Sequence, residues 1–380
     1  MHSDTLVAGI GDFAPLPTAS KELSYEALPS AQGRVERFAF TGAGAEYFGI
    51  WITNLLLSIV TLGIYSAWAK VRNKQYFYGN TVLDRAAFHF LARPSQILKG
   101  RLLVLAFFLA WSVISETLPW FDLVVLLVVI PALVPFAVVR SRKFGARYSA
   151  YRHLAFGFDG TRREALVVYV LLSAASVLSA GLLHPYAVYR RKRFQIEHTR
   201  FGRTFFSFRG TPRPFYRIYG MAVGLAVPLA LISGLLLQEA FGVFTLLAGD
   251  NPRTLADAPS SGIILSALAI VVTLASIIAV GIYLQTALAN EIWNRTSLGP
   301  HRLRLTLEYP RMLWIQLSNA AAIVGSAGLL IPWAQVRAAR YKVERLSFLV
   351  SGSLDEFVGE RARGIGARSA PQSLQSSSSL

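Results

Sequence analysis

A break residue, an aromatic five positions on, an alanine at six and an arginine at nine form a pattern that recurs five times along this chain. Gly63, Trp68, Ala69 and Arg72 make the first copy, and Pro131, Phe136, Ala137 and Arg140 the second. Gly181, Tyr186, Ala187 and Arg190 make the third, and Gly328, Trp333, Ala334 and Arg337 the last. Between them, GIYLQTALAN keeps Gly281 and Ala287 but has Thr286 and Asn290 in place of the aromatic and the arginine. A pattern of this kind means duplication, in which each unit offers its neighbours the same surfaces.

Each copy closes an apolar run. With 53% hydrophobic residues in 380 and a mean hydropathy of +0.44, the chain is too apolar for an ordinary soluble protein. Runs 102–117, 123–139, 219–237 and 263–284 approach the ~20 apolar residues that cross a bilayer core of about 30 Å. Runs 48–68, 165–186 and 313–333 are interrupted by Gly or Pro. No basic segment precedes an early apolar stretch, so no cleavable signal peptide is expected. The chain has no cysteine, which excludes disulfides, thiolate metal sites and cysteine nucleophiles.

The net charge of +17 does not point to nucleic acid, because the basic residues lie beside apolar runs. Segment 70–101 holds seven Lys/Arg against Asp84, 140–164 seven against Asp159 and Glu164, and 186–218 nine against Glu197. Segment 285–312 and the end of the chain are basic too, whereas 117–122 has no Lys or Arg and 238–261 only Arg253. Lys/Arg bias sets orientation, so the basic segments and the N-terminus are expected on the cytoplasmic side. Hairpins 102–139 and 219–284 then cross out and back. The interrupted runs have basic segments on both sides, and the preferred reading is re-entrant helix pairs broken near Gly63, Gly181 and Gly328. Seven plain spans in inverted units are the alternative. Equal basic bias at equivalent ends favours parallel repeats.

Beyond each arginine an amphipathic stretch carries an aromatic (Tyr76, Phe144, Phe194, Tyr341) suited to the headgroup region. Sixteen residues after the arginine a Phe-x-Phe alternation begins: Phe88–Phe90, Phe156–Phe158 and Phe206–Phe208. Leu303, Leu305 and Leu307 take that role in copy four, and Phe38–Phe40 precedes the first apolar run. Period two signals strands, with turns marked at Asp84-Arg85 and Gly202-Arg203. The expected fold is therefore an all-α polytopic membrane protein with internal repeats, whose short cytoplasmic strands are open to pairing into a small sheet. The repeated membrane domain spans 35–357, between tails 1–34 and 358–380 that read as disordered from their composition.

The run NLLLSIVTLGIYSAWAKVR from Asn54, followed by YFYGNTVLD from Tyr76, ILKGR from Ile97, and later HPYAVYR, FYRIYG and IPWAQVR, resembles the YjgN-type bacterial inner-membrane proteins. The resemblance covers about 35–357 and implies a multi-pass inner-membrane protein. That family is a domain of unknown function, so it hands over no catalytic residue.

Two sets of polar residues are candidate sites. Asn54 and Asn319 each lie nine residues before a break glycine and form a candidate intramembrane polar site, set against a plain interhelical hydrogen bond. Arg72, Arg140, Arg190 and Arg337 are candidate contacts for an anionic headgroup or solute, gathered around one vestibule, or plain headgroup anchors. Glu46 and Glu164 read as helix N-terminal carboxylates. The six histidines show no metal-ligand spacing, and no P-loop, G-x-S-x-G or H-E-x-x-H occurs. No catalytic set, cofactor or metal is expected. The reading is a lipid-interacting scaffold of unknown activity, with a transporter or channel for a small anionic solute as the alternative.

Overall fold

After the second helix of each of the first four repeats, a ten-residue segment folds back as a β-hairpin. The short strands β2 (Thr81–Leu83), β4 (Ser149–Tyr151), β6 (Thr199–Phe201) and β8 (Thr296–Leu298) lead into β3 (Ala86–Phe90), β5 (Leu154–Phe158), β7 (Thr204–Phe208) and β9 (His301–Leu305). Asp84-Arg85 and Arg152-His153 take positive φ at both turn positions, the twist that suits a two-residue hairpin. Gly202 and Gly299 take positive φ at the first turn position of the other two. The turns at Asp84-Arg85 and Gly202-Arg203 are those marked in the sequence.

The fifth hairpin has no turn. It is made by the two ends of the repeated domain, β10 (Leu346–Val350) and β1 (Arg34–Phe40), with Arg34 opposite Val350 and Arg37 opposite Ser347. The far half of β1 pairs β2, with Phe40 opposite Thr81. Phe90 faces Ser149, Phe158 faces Thr199, Phe208 faces Thr296 and Leu305 faces Leu346 in the same way. Every strand is then paired on both sides, and the order β1-β10-β9-β8-β7-β6-β5-β4-β3-β2 closes a barrel. The structure, a computed structural model, describes residues 34–118, 120–248 and 260–351. Both tails read as disordered, apart from Arg34, lie outside the described residues, as does most of the poorly charged segment 238–261 beyond Ala248.

This corrects the expectation of an all-α class with at most a small sheet. Strands β2, β4, β6 and β8 are three residues long, too short to display a period of two. A lone hairpin is marginal in water. Five of them closed into a ring leave no edge.

The first helix of every repeat leaves, and the second returns, at the barrel end opposite the turns. Helices α1 (Gly44–Val60) and α2 (Ser66–Gly79) form the first pair, and α11 (Tyr309–Gly325) and α12 (Ile331–Glu344) the last. The third is α6 (Arg162–Leu166) and α7 (Leu172–Leu178), joined through a π-helical turn Val167–Leu171, then α8 (His184–Glu197). Two longer pairs alternate with these: α3 (Pro94–Thr117) with α4 (Phe121–Val124) and α5 (Ile130–Arg147), joined through Val125–Val129, and α9 (Pro212–Ala248) with α10 (Ser260–Asn294). Each second helix packs on the first helix of the next pair, and α12 packs on α1, so the helices also close a ring. The repeats are parallel.

Phe-x-Phe serves two cores at once. Its first residue (Phe38, Phe88, Phe156, Phe206, with Leu303 in copy four) packs in the shared barrel core with Tyr151, Phe201 and Phe348. Its second (Phe40, Phe90, Phe158, Phe208, Leu305) packs in one of five satellite cores at the feet of the helix pairs. Tyr47, Ala165, Phe215 and Met312, seven residues after that second position, are buried in those satellites.

The interrupted runs are helix–turn–helix pairs. Gly63, Gly181 and Gly328 have φ of +87°, +88° and +90°, each preceded by a residue in the left-handed region (Leu62, Ala180, Ala327). Their N–H groups donate to Ser58, Ser176 and Ile323 carbonyls, a helix C-cap of Schellman type. Thr61, Ser179 and Ser326 accept from the N–H of Tyr65, Leu183 and Leu330, capping the returning helix. The tips are apolar and bare: Leu62 is 94% exposed and Leu178 88%. From Phe48 to that tip is about 22 Å of helix, short of the ~30 Å core. Four helical stretches are long and apolar enough to span: Pro94–Thr117, Phe121–Arg147, Pro212–Leu235 and Ala267–Asn294.

The barrel register also realigns the fourth copy. Trp68, Phe136, Tyr186 and Trp333 lie thirteen residues before the first residue of β2, β4, β6 and β10, and thirteen before Thr296 is Tyr283, not Thr286. Ten residues before each strand the chain is buried in all five copies, at Val71, Val139, Tyr189, Thr286 and Val336. Copy four thus keeps its aromatic, and Ala287 holds the arginine place.

Gly181→Val forces a β-branched residue to positive φ and costs about 1–2 kcal/mol in detergent unfolding. Gly224→Ala, inside α9 with nothing near the new methyl, is neutral or stabilising. His301, buried in the barrel beside Phe348, accepts from the Ser351 N–H, and burial lowers its pKa. Below the ordinary histidine pKa of about 6.5 the unfolded chain therefore binds the proton first, and stability falls as pH drops toward the lower folded value. His301→Leu flattens that acid limb, measured as melting temperature between pH 5 and 7.5.

Candidate functional site

Each second helix runs into its strand with no more than one residue between them, so its rotation is fixed by the barrel. A hydroxyl locks the junction: Thr81, Ser149, Thr199 and Thr296 donate to the carbonyls of Phe77, Gly145, Gln195 and Ile292, at 2.6–2.8 Å. Counting back from those residues, one face recurs at seven, four and three positions. It lines a cavity of about 690 Å³ at the mouth of the barrel.

At minus seven stand Lys74, Arg142 and Lys192. Lys74 and Arg142 line the cavity, and Lys192 occupies the equivalent place on α8, close enough to feel the Arg142 charge. Phe77 and Gly145 line it at minus four, where α12 has Lys342. Phe38, Phe88 and Phe156 also line it, where it meets the packed barrel core. Burial lowers the Lys74, Lys192 and Lys342 pKa values, and the charges of Lys70 and Arg142 add to the effect at Lys74 and Lys192 respectively. Lys74 Nζ lies 4.6 Å from the centre of the Phe90 ring.

Among the described residues none of these four cations has an ion-pair partner. Most carboxylates around the barrel are engaged elsewhere, and Glu344, at the end of α12, is exposed. Asp84 pairs with Arg152 (2.6 Å), Asp159 with Arg200 (2.8 Å), Glu197 with Arg193 (3.0 Å) and Glu308 with Arg345 (2.9 Å). Glu164 meets His198 Nε2 at 3.1 Å. Glu46 accepts from the Tyr76 hydroxyl, whose pKa is pushed up to about 12 by burial and then by that carboxylate.

The arginines of the repeat lie elsewhere. Arg72 and Arg140 are exposed, and Arg190 and Arg337 half-buried. The latter three make contacts within their own helix pairs. Arg140 sits over Phe136, Arg190 donates to the Tyr186 hydroxyl, and Arg337 lies over Trp333 and donates to Ser318 Oγ (2.7 Å) and Asn319 Oδ1 (3.1 Å). Asn319 and Arg337, singled out separately in the sequence, thus meet. Asn319 Nδ2 donates to the Ala334 carbonyl on the facing helix, and Asn54 Nδ2 to Asn73 Oδ1. Both asparagines are buried at equivalent places, and both brace their own pair.

The residues that sequence reasoning passed over are those two positions beyond the arginines. Two residues is about 200° of helix, so they face the opposite way. The signal was present as a second cation at Lys74, Arg142 and Lys192. Among the described residues no three His, Asp or Glu side chains converge to hold a metal. The mouth is chemically a cationic, partly dry receptacle.

Comparison with known proteins agrees with the membrane reading. Inner membrane protein YjgN of Salmonella typhimurium is 32% identical over 141 residues, 36% of this chain and 35% of that protein. Inner membrane protein YjgN of Escherichia coli K12 is 28% identical over 123 residues, 32% and 31% of the two chains. The matched segment thus spans about a third of the length of these curated relatives. No solved structure matches. A family profile described as "Bacterial protein of unknown function (DUF898)" matches residues 35–370, and the chain belongs to that family, whose curated relatives are inner-membrane proteins.

Proposed function

We propose that the chain is a lipid-interacting scaffold of the bacterial inner membrane, with its barrel in the cytoplasm and its helix pairs in the bilayer. The carrying observation is that all five pairs leave one rim of a closed barrel. The basic segments gather at that rim and on the barrel. The two long pairs cross, and the three short pairs dip into one leaflet with their apolar tips. Nine residues of helix separate the repeat arginines from the barrel rim, about 13 Å, which suits the headgroup layer. There Arg72 and Arg140, exposed, meet anionic lipid. A transport path along the barrel axis finds its interior filled by Tyr151, Phe201 and Phe348.

Single cysteines in this cysteine-free chain test the arrangement. Trp120→Cys, at the exposed turn of the first long pair, reacts with an impermeant maleimide in intact spheroplasts. His89→Cys and Arg302→Cys, on the outer barrel wall, react only after permeabilisation. Leu62→Cys and Leu178→Cys react poorly in both conditions, being in lipid. Labelling of His89→Cys from outside contradicts the proposed orientation, and substrate-dependent flux in proteoliposomes contradicts the scaffold.

A further inference from the structure

The barrel mouth has cations that no carboxylate among the described residues pairs with. Three come from the same position of successive second helices, Lys74, Arg142 and Lys192, and a fourth, Lys342, from one turn lower on α12. Arg142 and Lys192 repel one another, and burial adds to the cost of the three lysines. A chain can hold such a group cheaply only if something anionic sits among them for part of its life. We propose that the cavity lined by Lys74 and Arg142, with Lys192 and Lys342 at equivalent helix positions around it, is a binding site for a phosphomonoester group, carried by a lipid headgroup or by a small soluble phosphate.

Three features select that chemistry. A phosphomonoester carries close to two negative charges and three acceptor oxygens, so several separated cations can each take a share. A carboxylate offers one charge and two oxygens, fewer than the number of cations. The volume, about 690 Å³, is within the range of small-ligand sites and exceeds what a bare anion needs, leaving room for a glycerol-sized remainder. The third feature is the floor. Phe38, Phe88 and Phe156 close the cavity toward the packed barrel core, so the group is held there and not conducted onward.

This deepens the lipid-contact reading above, but it stands on the barrel mouth and not on which way the barrel faces. It is therefore tested without a bilayer, on full-length protein in a neutral detergent, by titration calorimetry. Two probes separate the sources, inorganic phosphate and water-soluble dihexanoyl phosphatidic acid. The expected result is saturable binding of at least one. Phosphate alone at similar strength identifies a soluble ligand, and a hundredfold preference for the phosphatidic acid identifies a lipid. The double substitution Lys74→Met with Lys192→Met weakens binding tenfold or more, and Lys74→Arg with Lys192→Arg keeps it within threefold. Arg302→Gln, on the outer barrel wall, leaves it unchanged. The melting temperature of each variant shows that it is folded. Absence of saturable binding by folded protein overturns the inference, and so does equal weakening by Arg302→Gln and by the Met pair. Neither result touches the cysteine labelling pattern, so the two readings fail separately.

Discussion

Everything in this molecule hangs from the pairing of β1 with β10. These two strands lie at opposite ends of the repeated domain, and their antiparallel register, Arg34 against Val350, supplies the fifth hairpin that four turns cannot. Without it, the ten strands would form an open sheet whose edges, β1 and β10, expose unpaired backbone groups. With it, each strand is bonded on both flanks and Phe38, Tyr151, Phe201 and Phe348 share one core. The closing contact is also the least local one, so its loop-closure cost falls on the whole repeated domain. That cost is modest, because loop entropy grows only logarithmically with length.

Closure fixes the rotation of the helices. The junction leaves no slack between helix and strand, and the Thr or Ser hydroxyl returns to a carbonyl four residues back. One periodic helix then serves three surroundings. The position ten before the strand meets the neighbouring helices, the arginine at nine faces outward or back into its pair, and the cation at seven faces the axis. The cationic mouth is thus a product of duplication, in which a single lysine or arginine per repeat converges with its copies. Repeats four and five have Ala289 and Ala339 there, so the charge lies on one side of the ring.

Much of this was legible in the sequence. The glycine breaks of the short pairs announce a reversal at Gly63, Gly181 and Gly328, and the equal basic bias announces parallel units. Phe-x-Phe announces strands. The barrel was not legible for two physical reasons. Strands such as Thr81–Leu83 are too short to show alternation, and no local pattern reveals that Arg34 finds Val350. The fourth copy was misaligned because Gly281 mimics a break residue inside a continuous α10. The axial cations were missed because the repeated arginine drew attention to the wrong face of the same helix. Asn54 and Asn319 were placed correctly as equivalents, but only the structure gives their partners, Asn73 and the Ala334 carbonyl with Arg337.

The most direct measurement is a cross-link between the chain's two distant strands. Val35 and Leu349 are opposite one another in β1 and β10. Cysteines at both, in a chain cut between them at an inserted protease site, remain joined under mild oxidation and separate on reduction if the barrel closes. A control pair at Val35 and Arg302 is separated by one strand more, near 10 Å, and does not join. Efficient joining of the 35–349 pair alone is the predicted result. Failure to join in folded protein, or joining of the control equally well, contradicts a barrel closed by its terminal strands.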